Sequence, residues 1–294
     1  MHSIDAYNKL YGLKTFHPLV AVFNLKDSTN VVNHIKMDFG LYAIYLKNGA
    51  YCSIRYGRQS YDYQEGTVVS FAPGQLVEIE NETDEISPDI VGLMFHPDLI
   101  YGTPLGENIK KYSFLDYSQR ESLHLSEDER NLFLESVEKI RKEVEHPIDH
   151  HSAGVIAANI QLLFEYLDRF YDRQFITRHK VNSDVVSQFE RDLRHYYDFR
   201  PVREGLPTVA YFAEKANLST GYFGDLVKKE LGVSAQELIT NHLISLSKQR
   251  LAGTNDDVSV IAYELGFQYP QHFMRLFKKQ TGQTPTQYRN ASNN

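Results

Sequence analysis

The chain has 294 residues, 42% of them hydrophobic and 23% charged, with 10 Pro and 17 Gly, a composition that excludes collagen and low-complexity disorder and leaves room for two or three domains. Its one cysteine, Cys52, allows neither an internal disulfide nor a thiolate zinc site. The net charge of −7 is unevenly spread: residues 200–294 carry 11 Lys and Arg against 8 Asp and Glu, whereas residues 1–199 carry 20 against 30.

The first residues lack the continuous apolar core of a signal peptide, and no apolar run approaches the ~18 residues of a membrane span. A cytoplasmic protein without membrane contact is expected. Residues 19–95 read as strands. Leu41–Tyr56 holds two β-prone runs joined by Asn48-Gly49, a pair that tolerates the positive φ of a tight hairpin. Thr67–Phe71, Leu76–Ile79 and Ile90–Phe95 follow, separated by turn residues, which predicts a small barrel or sandwich. A short helix is expected over His96–Tyr101. Ser126 and Glu129 have the spacing of a capping box. Behind them, Phe133, Val137, Ile140 and Val144 form one helical stripe, and Ile156, Ile160, Leu163, Leu167 and Phe170 form a second. The stripes predict a helical hairpin that either covers the barrel or, because 4-3 spacing is also the coiled-coil pattern, forms a dimer seam. From Ser183, read as a cap, the chain is helical to its end, with a break over Phe199–Pro207.

The last third contains a repeat. Ala213–Leu218 aligns with Ala262–Phe267 at an offset of 49, and Leu226–Lys229 with Leu276–Lys279 at an offset of 50. Gly232 then matches Gly282. Each unit reads as a short helix, a polar turn and a second amphipathic helix, the layout of a helix-turn-helix. The second helices are expected over Thr220–Leu231 and Pro270–Thr281, Pro270 suiting a first turn. A linking helix from Ser234 to Ala252 would be about 28 Å long, close to the ~34 Å recurrence of the major groove.

The C-terminal stretch resembles the AraC/XylS family of bacterial transcription regulators over about residues 183–290. Ala262-Tyr-Glu-Leu-Gly-Phe-Gln-Tyr-Pro-Gln-His-Phe-Met-Arg-Leu-Phe-Lys-Lys279 carries the resemblance, with Gly282, Thr284-Pro285 and Tyr288-Arg289. It implies a DNA-binding domain with two helix-turn-helix units and an N-terminal sensing or dimerisation domain, often a cupin-like barrel. It also implies that Gln271, Met274 and Arg275 face the groove in the second unit, and Gly221, Gly224 and Asp225 in the first. Arg275 suits guanine and Gln271 adenine, with a phosphate contact or an internal salt bridge as the alternative for Arg275. Asp225 either selects cytosine, or the first unit mainly positions the domain. Ser219, Thr220 and Tyr222, through backbone contacts at one helix start, and Tyr269 and His272 at the other, join Lys228 and Lys278 in the candidate DNA-binding set.

Separately, the Gly66–Gly74 stretch is similar to the second cupin motif in its Gly and Pro-Gly, with the usual downstream His replaced in the Gln75–Glu78 region. Residues 1–130 hold no His-x-His pair, so no metal and no other cofactor is expected. His150-His151 reads as a solvated loop rather than a metal pair. Aromatic residues crowd the strands; Tyr42, Tyr45, Tyr56 and Phe71 are the candidate effector contacts, although aromatics also simply favour strands. No catalytic motif is present. The expected fold is α+β and multidomain: a cupin-like β-barrel over residues 1–125, a helical hairpin and linker over 126–182, and an all-α double helix-turn-helix domain over 183–294. The expected function is a non-enzymatic, sequence-specific transcription regulator, an activator by the family's commoner role. Its partners would be double-stranded promoter DNA, a second copy of the chain, and as further candidates RNA polymerase and a small-molecule effector. A cupin-type enzyme fused to a DNA-targeting domain is the alternative.

Overall fold

The strand-rich half begins with a helix that the hydrophobic pattern did not announce. The Ser3 hydroxyl accepts from the Ala6 N–H, Ile4–Tyr11 follows as α1, and Gly12 ends it at φ +67°. In the computed structural model, which describes residues 1–30, 32, 34–47, 66–80, 89–118, 121–199 and 205–292, the chain divides into two units, Met1–Thr177 and Arg178–Asn294. The helical hairpin belongs to the first of them. The Asn48-Gly49 turn, Cys52 and Tyr56 lie outside the described residues.

The first unit contains β1 (Val20–Asn24), β2 (His34–Phe39), β3 (Tyr42–Lys47), β4 (Thr67–Phe71), β5 (Gln75–Glu80), β6 (Ile90–Phe95) and β7 (Leu123–His124). All pairings are antiparallel: a five-stranded sheet ordered β1-β6-β3-β4-β7, and a β2-β5 pair. Among the described residues β1 and β7 end the larger sheet without pairing to each other. The closed cupin-like barrel expected from the sequence goes beyond these two sheets.

Alternation along the strands gives the large sheet two buried faces. On one, Ala21, Phe23, Ala43, Val69, Phe71 and Met94 pack with Phe39 of the smaller sheet and with Ile4, Tyr7 and Tyr11 of α1. On the other, Ile44, Leu46, Leu93 and Phe95 are fully buried. That face meets the helices: the Phe95 ring lies 6.2 Å from Phe164. Short helices α2 (Pro97–Ile100) and α3 (Pro104–Asn108) precede the hairpin of α4 (Glu127–Glu145) and α5 (Ser152–Thr177). The Ser126–Glu129 capping box is formed in both directions. Both predicted stripes are buried within the unit, from Phe133 at 0% to Phe170 at 4% exposed. They cover the sheet and each other, so neither is free to serve as a dimer seam.

The hairpin is also fastened to the sheet edge by polar bonds. The Gln174 side chain of α5 accepts from the His124 N–H at 2.9 Å and donates to the Ser122 carbonyl at 3.1 Å, standing in for a neighbouring strand beside β7. Arg173 donates to the His124 carbonyl and to both oxygens of Glu129.

The second unit is helical: α6 (His179–Arg194), α7 (Tyr196–Phe199), α8 (Val209–Lys215), α9 (Thr220–Leu231), α10 (Ala235–Gly253), α11 (Val258–Glu264), α12 (Pro270–Thr281) and α13 (Pro285–Ser292). Ser183 does not cap α6. The helix starts at His179, and Ser183 sits exposed inside it, because helical bonding already begins one turn earlier, where the Asn182 N–H donates to the Arg178 carbonyl at 3.0 Å. Phe189 of α6 meets Phe212 and Phe223 at 4.9 and 5.2 Å, the core of the first helix-turn-helix. Phe267, Phe273 and Phe277 join Leu243, Leu251 and Ile261 under the second. Ser234 caps α10, whose 19 residues give about 28 Å. No helix among the described residues is long and apolar enough to cross a membrane.

Candidate nucleic-acid interface

The two repeat units fold with the same local hydrogen bonds. In the first, Thr208 caps α8, the Asn217 N–H donates to the Glu214 carbonyl, and the Leu218 N–H to the Ala213 carbonyl. In the second, the Gly266 N–H donates to Tyr263 and the Phe267 N–H to Ala262, each 49 residues on. The turn residue is left-handed in both, Asn217 at φ +56° and Gly266 at φ +89°. Asn tolerates that region. Only Gly fits the second turn, because a Cβ on Gly266 would stand 2.6 Å from the Gly205 carbonyl carbon and oxygen.

Each turn leads into a second helix closed by a left-handed glycine, Gly232 after α9 and Gly282 after α12. On α12, Phe273 and Phe277 are fully buried. Their burial turns the opposite face outward. Gln271, His272, Met274, Arg275 and Lys278 are all exposed, and 271, 274, 275 and 278 share one face at helical spacing. Arg275 forms no ion pair among the described residues, so the internal salt bridge considered for it is not made. Tyr269, 58% exposed, precedes the helix, and its ring meets His272 edge-on at 5.6 Å. Pro270 takes the first helical position, and no side chain caps the helix. Pro270 has no N–H, and the His272 N–H donates to the Tyr269 carbonyl at 3.0 Å, so this helix start is held by backbone rather than by a side chain.

The α9 face differs. Thr220 and Lys228 are exposed, while Ser219, Gly221, Gly224 and Asp225 are half-buried. The Ser219 hydroxyl accepts from the Tyr222 N–H at 3.3 Å, so this helix start is already closed by its own cap. Tyr222 is 5% exposed. Its side chain lies on the buried side of the helix, and the N–H expected to make a backbone contact is held by Ser219.

Several supporting residues carried no predicted role. The Arg289 guanidinium of α13 donates to the Leu251 carbonyl at 3.1 Å and the Asp256 carbonyl at 2.7 Å, tying the end of α10 to the entrance of α11. The Tyr197 hydroxyl donates to the Leu265 carbonyl in the second turn at 3.2 Å. Burial, and then the neighbouring Tyr196, raise the Tyr197 phenol above its ordinary range. Arg289 had a signal in the Tyr288-Arg289 pair; Tyr197 had none, because its partner is 68 residues away.

Of the candidate effector residues that are described, Tyr45 and Phe71 come together and Tyr42 stands apart. Tyr45 and Phe71 share the inter-sheet core, their rings 5.5 Å apart, and the Tyr45 hydroxyl donates to the Tyr7 hydroxyl at 3.3 Å. Tyr42 stacks on Phe95 at 5.0 Å on the opposite face of the sheet. The pleat separates Tyr42 from the others, and α1 fills the core around Tyr45 and Phe71 with Tyr7 and Tyr11. Among the described residues no group of three or more His, Cys, Asp or Glu side chains is arranged to hold a metal ion.

A family model described as a helix-turn-helix domain matches residues 212–291. The chain is 29% identical over 133 residues to the uncharacterized HTH-type transcriptional regulator YtdP of Bacillus subtilis (strain 168), covering 43% of this chain and 17% of that protein. It is 34% identical over 84 residues to the uncharacterized HTH-type transcriptional regulator YobQ of the same organism, covering 29% and 35%. It is 32% identical over 84 residues to the raffinose operon transcriptional regulatory protein RafR of Pediococcus pentosaceus, covering 29% and 30%. The chain thus spans about a third or less of the length of these relatives. With the repeated turn geometry and the Ala262–Lys279 signature, the matched region identifies the C-terminal part of this chain as a helix-turn-helix domain of the AraC type.

Proposed function

We propose that this chain is a transcription regulator that binds double-stranded promoter DNA through its C-terminal unit. The exposed face of α12 carries the reading: an amide, a thioether, a guanidinium and an ammonium side by side, backed by the buried Phe273 and Phe277. Arg275 supplies two parallel donors for the O6 and N7 of guanine, Gln271 a donor and an acceptor for adenine, and Met274 an apolar contact for the thymine methyl. Lys278 sits at the end of the face, where a cation meets phosphate.

The resemblance to the AraC/XylS family supports activation as the direction of regulation, with RNA polymerase as a further partner. It also supports assigning control to the N-terminal unit, through an effector or through pairing of two copies. Sedimentation of the full chain tests the pairing. The DNA reading is tested by capturing genomic fragments with the full-length chain and with Arg275→Ala, then sequencing both sets. A few promoter sites enriched by the native chain and lost in the variant are expected. The same fragments recovered by both proteins would remove Arg275 from the reading surface.

A further inference from the structure

The two helix-turn-helix units share a fold and present opposite chemistry. At an offset of 50, Gly221 corresponds to Gln271, Gly224 to Met274, Asp225 to Arg275 and Lys228 to Lys278. On α12 these positions carry three side chains able to contact base edges. On α9 the first two have no side chain, and the third exchanges a cation for an anion. Asp225 offsets Lys228, whereas Arg275 and Lys278 add, so the attraction to phosphate is concentrated on α12.

Gly224 has no internal reason to be glycine. It lies inside α9, its φ is not positive, and a Cβ there would meet nothing within 4 Å. Glycine at a helix-interior position is destabilising relative to alanine. What its missing side chain permits is a closer approach of another body to the α9 backbone.

Resting on the DNA-binding reading above, we propose that the two units read DNA unequally. The helix α12 specifies the bases of one major-groove segment. The helix α9 lies against the neighbouring segment by its backbone and accepts it with little regard to sequence. The preferred partner is a duplex with one strongly specified submotif and one loosely specified submotif. The face from Gln271 to Lys278 is about 10 Å long at ~1.5 Å per residue, enough for about three base pairs.

The experiment is selection of binding sites by the full-length chain from a randomised duplex pool at fixed salt. The native chain is expected to yield one specified run of about three base pairs, flanked about one helical turn away by near-random sequence. The variant G221Q/G224M/D225R gives α9 the side chains of α12, and is expected to yield a second specified run similar to the first. Gly224→Ala is expected to melt at a higher temperature, bind more weakly and keep the native motif. Two equally specified runs with the native chain would overturn the proposal. So would a folded triple variant with an unchanged motif. If the triple variant does not fold, the native motif and Gly224→Ala decide the matter. No enriched sequence with the native chain would remove the DNA-reading assignment together with this inference.

Discussion

Gly266 and Asn217 occupy the same place in the two repeats, yet the structure predicts very different tolerance of substitution. Gly266→Ala forces an L-residue to φ +89°, which costs about 1–2 kcal/mol. It also sets a Cβ 2.6 Å from the Gly205 carbonyl group. That neighbour is backbone and cannot rotate away, so the segment must shift, and such overpacking typically costs about 1–3 kcal/mol. Reduced freedom of the unfolded chain returns about 0.4–1 kcal/mol. The net destabilisation is about 2–4 kcal/mol, a large share of the ~5–15 kcal/mol of a typical domain. For a unit of this size that lowers Tm by about 10–15 °C. Asn217→Gly removes a mildly unfavourable φ at an exposed site, so its stability stays within about 1 kcal/mol of native. Thermal unfolding followed by circular dichroism compares the two. Amide hydrogen exchange should place the loss from Gly266→Ala in α11 and α12. A Gly266→Ala protein melting within about 3 °C of native, less than ~1 kcal/mol, would refute the close-approach argument. Equal damage from Asn217→Gly would do the same.

Arg289→Ala removes two charge-assisted bonds to backbone carbonyls, each worth about 1.5–3 kcal/mol; faster hydrogen exchange at the α10–α11 junction is expected, and unchanged exchange would contradict the tie. Gln174→Leu strands the His124 N–H and the Ser122 carbonyl, at about 1–3 kcal/mol per group. Its urea midpoint should fall, and a native midpoint would show that water satisfies both groups. Burial raises the phenol pKa values of Tyr7 and Tyr45. The folded state then holds protons that the unfolded state releases, so this contribution is intact below pH ~10 and lost as pH rises above it. Ultraviolet titration should show these two tyrosines ionising only as the protein unfolds, and free ionisation in a still-folded chain would contradict their burial.

The helices α9 and α12 were legible because their ends carry local chemistry. Ser219 and Pro270 mark starts, Gly232 and Gly282 mark stops, and each signal acts within one turn of the chain. The linking helix was legible for the same reason, with Ser234 as its cap. The N-terminal helix α1 was not. It is eight residues long, its buried residues are mainly tyrosines, and what holds it is a distant aromatic core. Strand β7 has two residues, too few for an alternation to register, and it exists because β4 and Gln174 supply its partners. Ser183 misled because a serine can sit inside a helix as well as cap one, and α6 begins one turn earlier without a side-chain cap. Tyr222 and His272 occupy equivalent repeat positions, one buried and one exposed, and composition alone does not separate them. The face of Gln271, Met274 and Arg275 was legible through the family resemblance, and the burial of Phe273 and Phe277 turns it outward.

The central claim is that α12 reads base pairs and that Arg275 is its main anchor. The most direct measurement is equilibrium binding of the selected duplex by the full-length chain and by Arg275→Ala, each against a scrambled duplex at the same salt concentration. Loss of a bidentate guanine contact costs about 1–3 kcal/mol, so discrimination should fall by about 5- to 150-fold while binding to the scrambled duplex changes far less. An Arg275→Ala protein that keeps its native discrimination, or that weakens equally on both duplexes, would make Arg275 a phosphate contact and contradict the account.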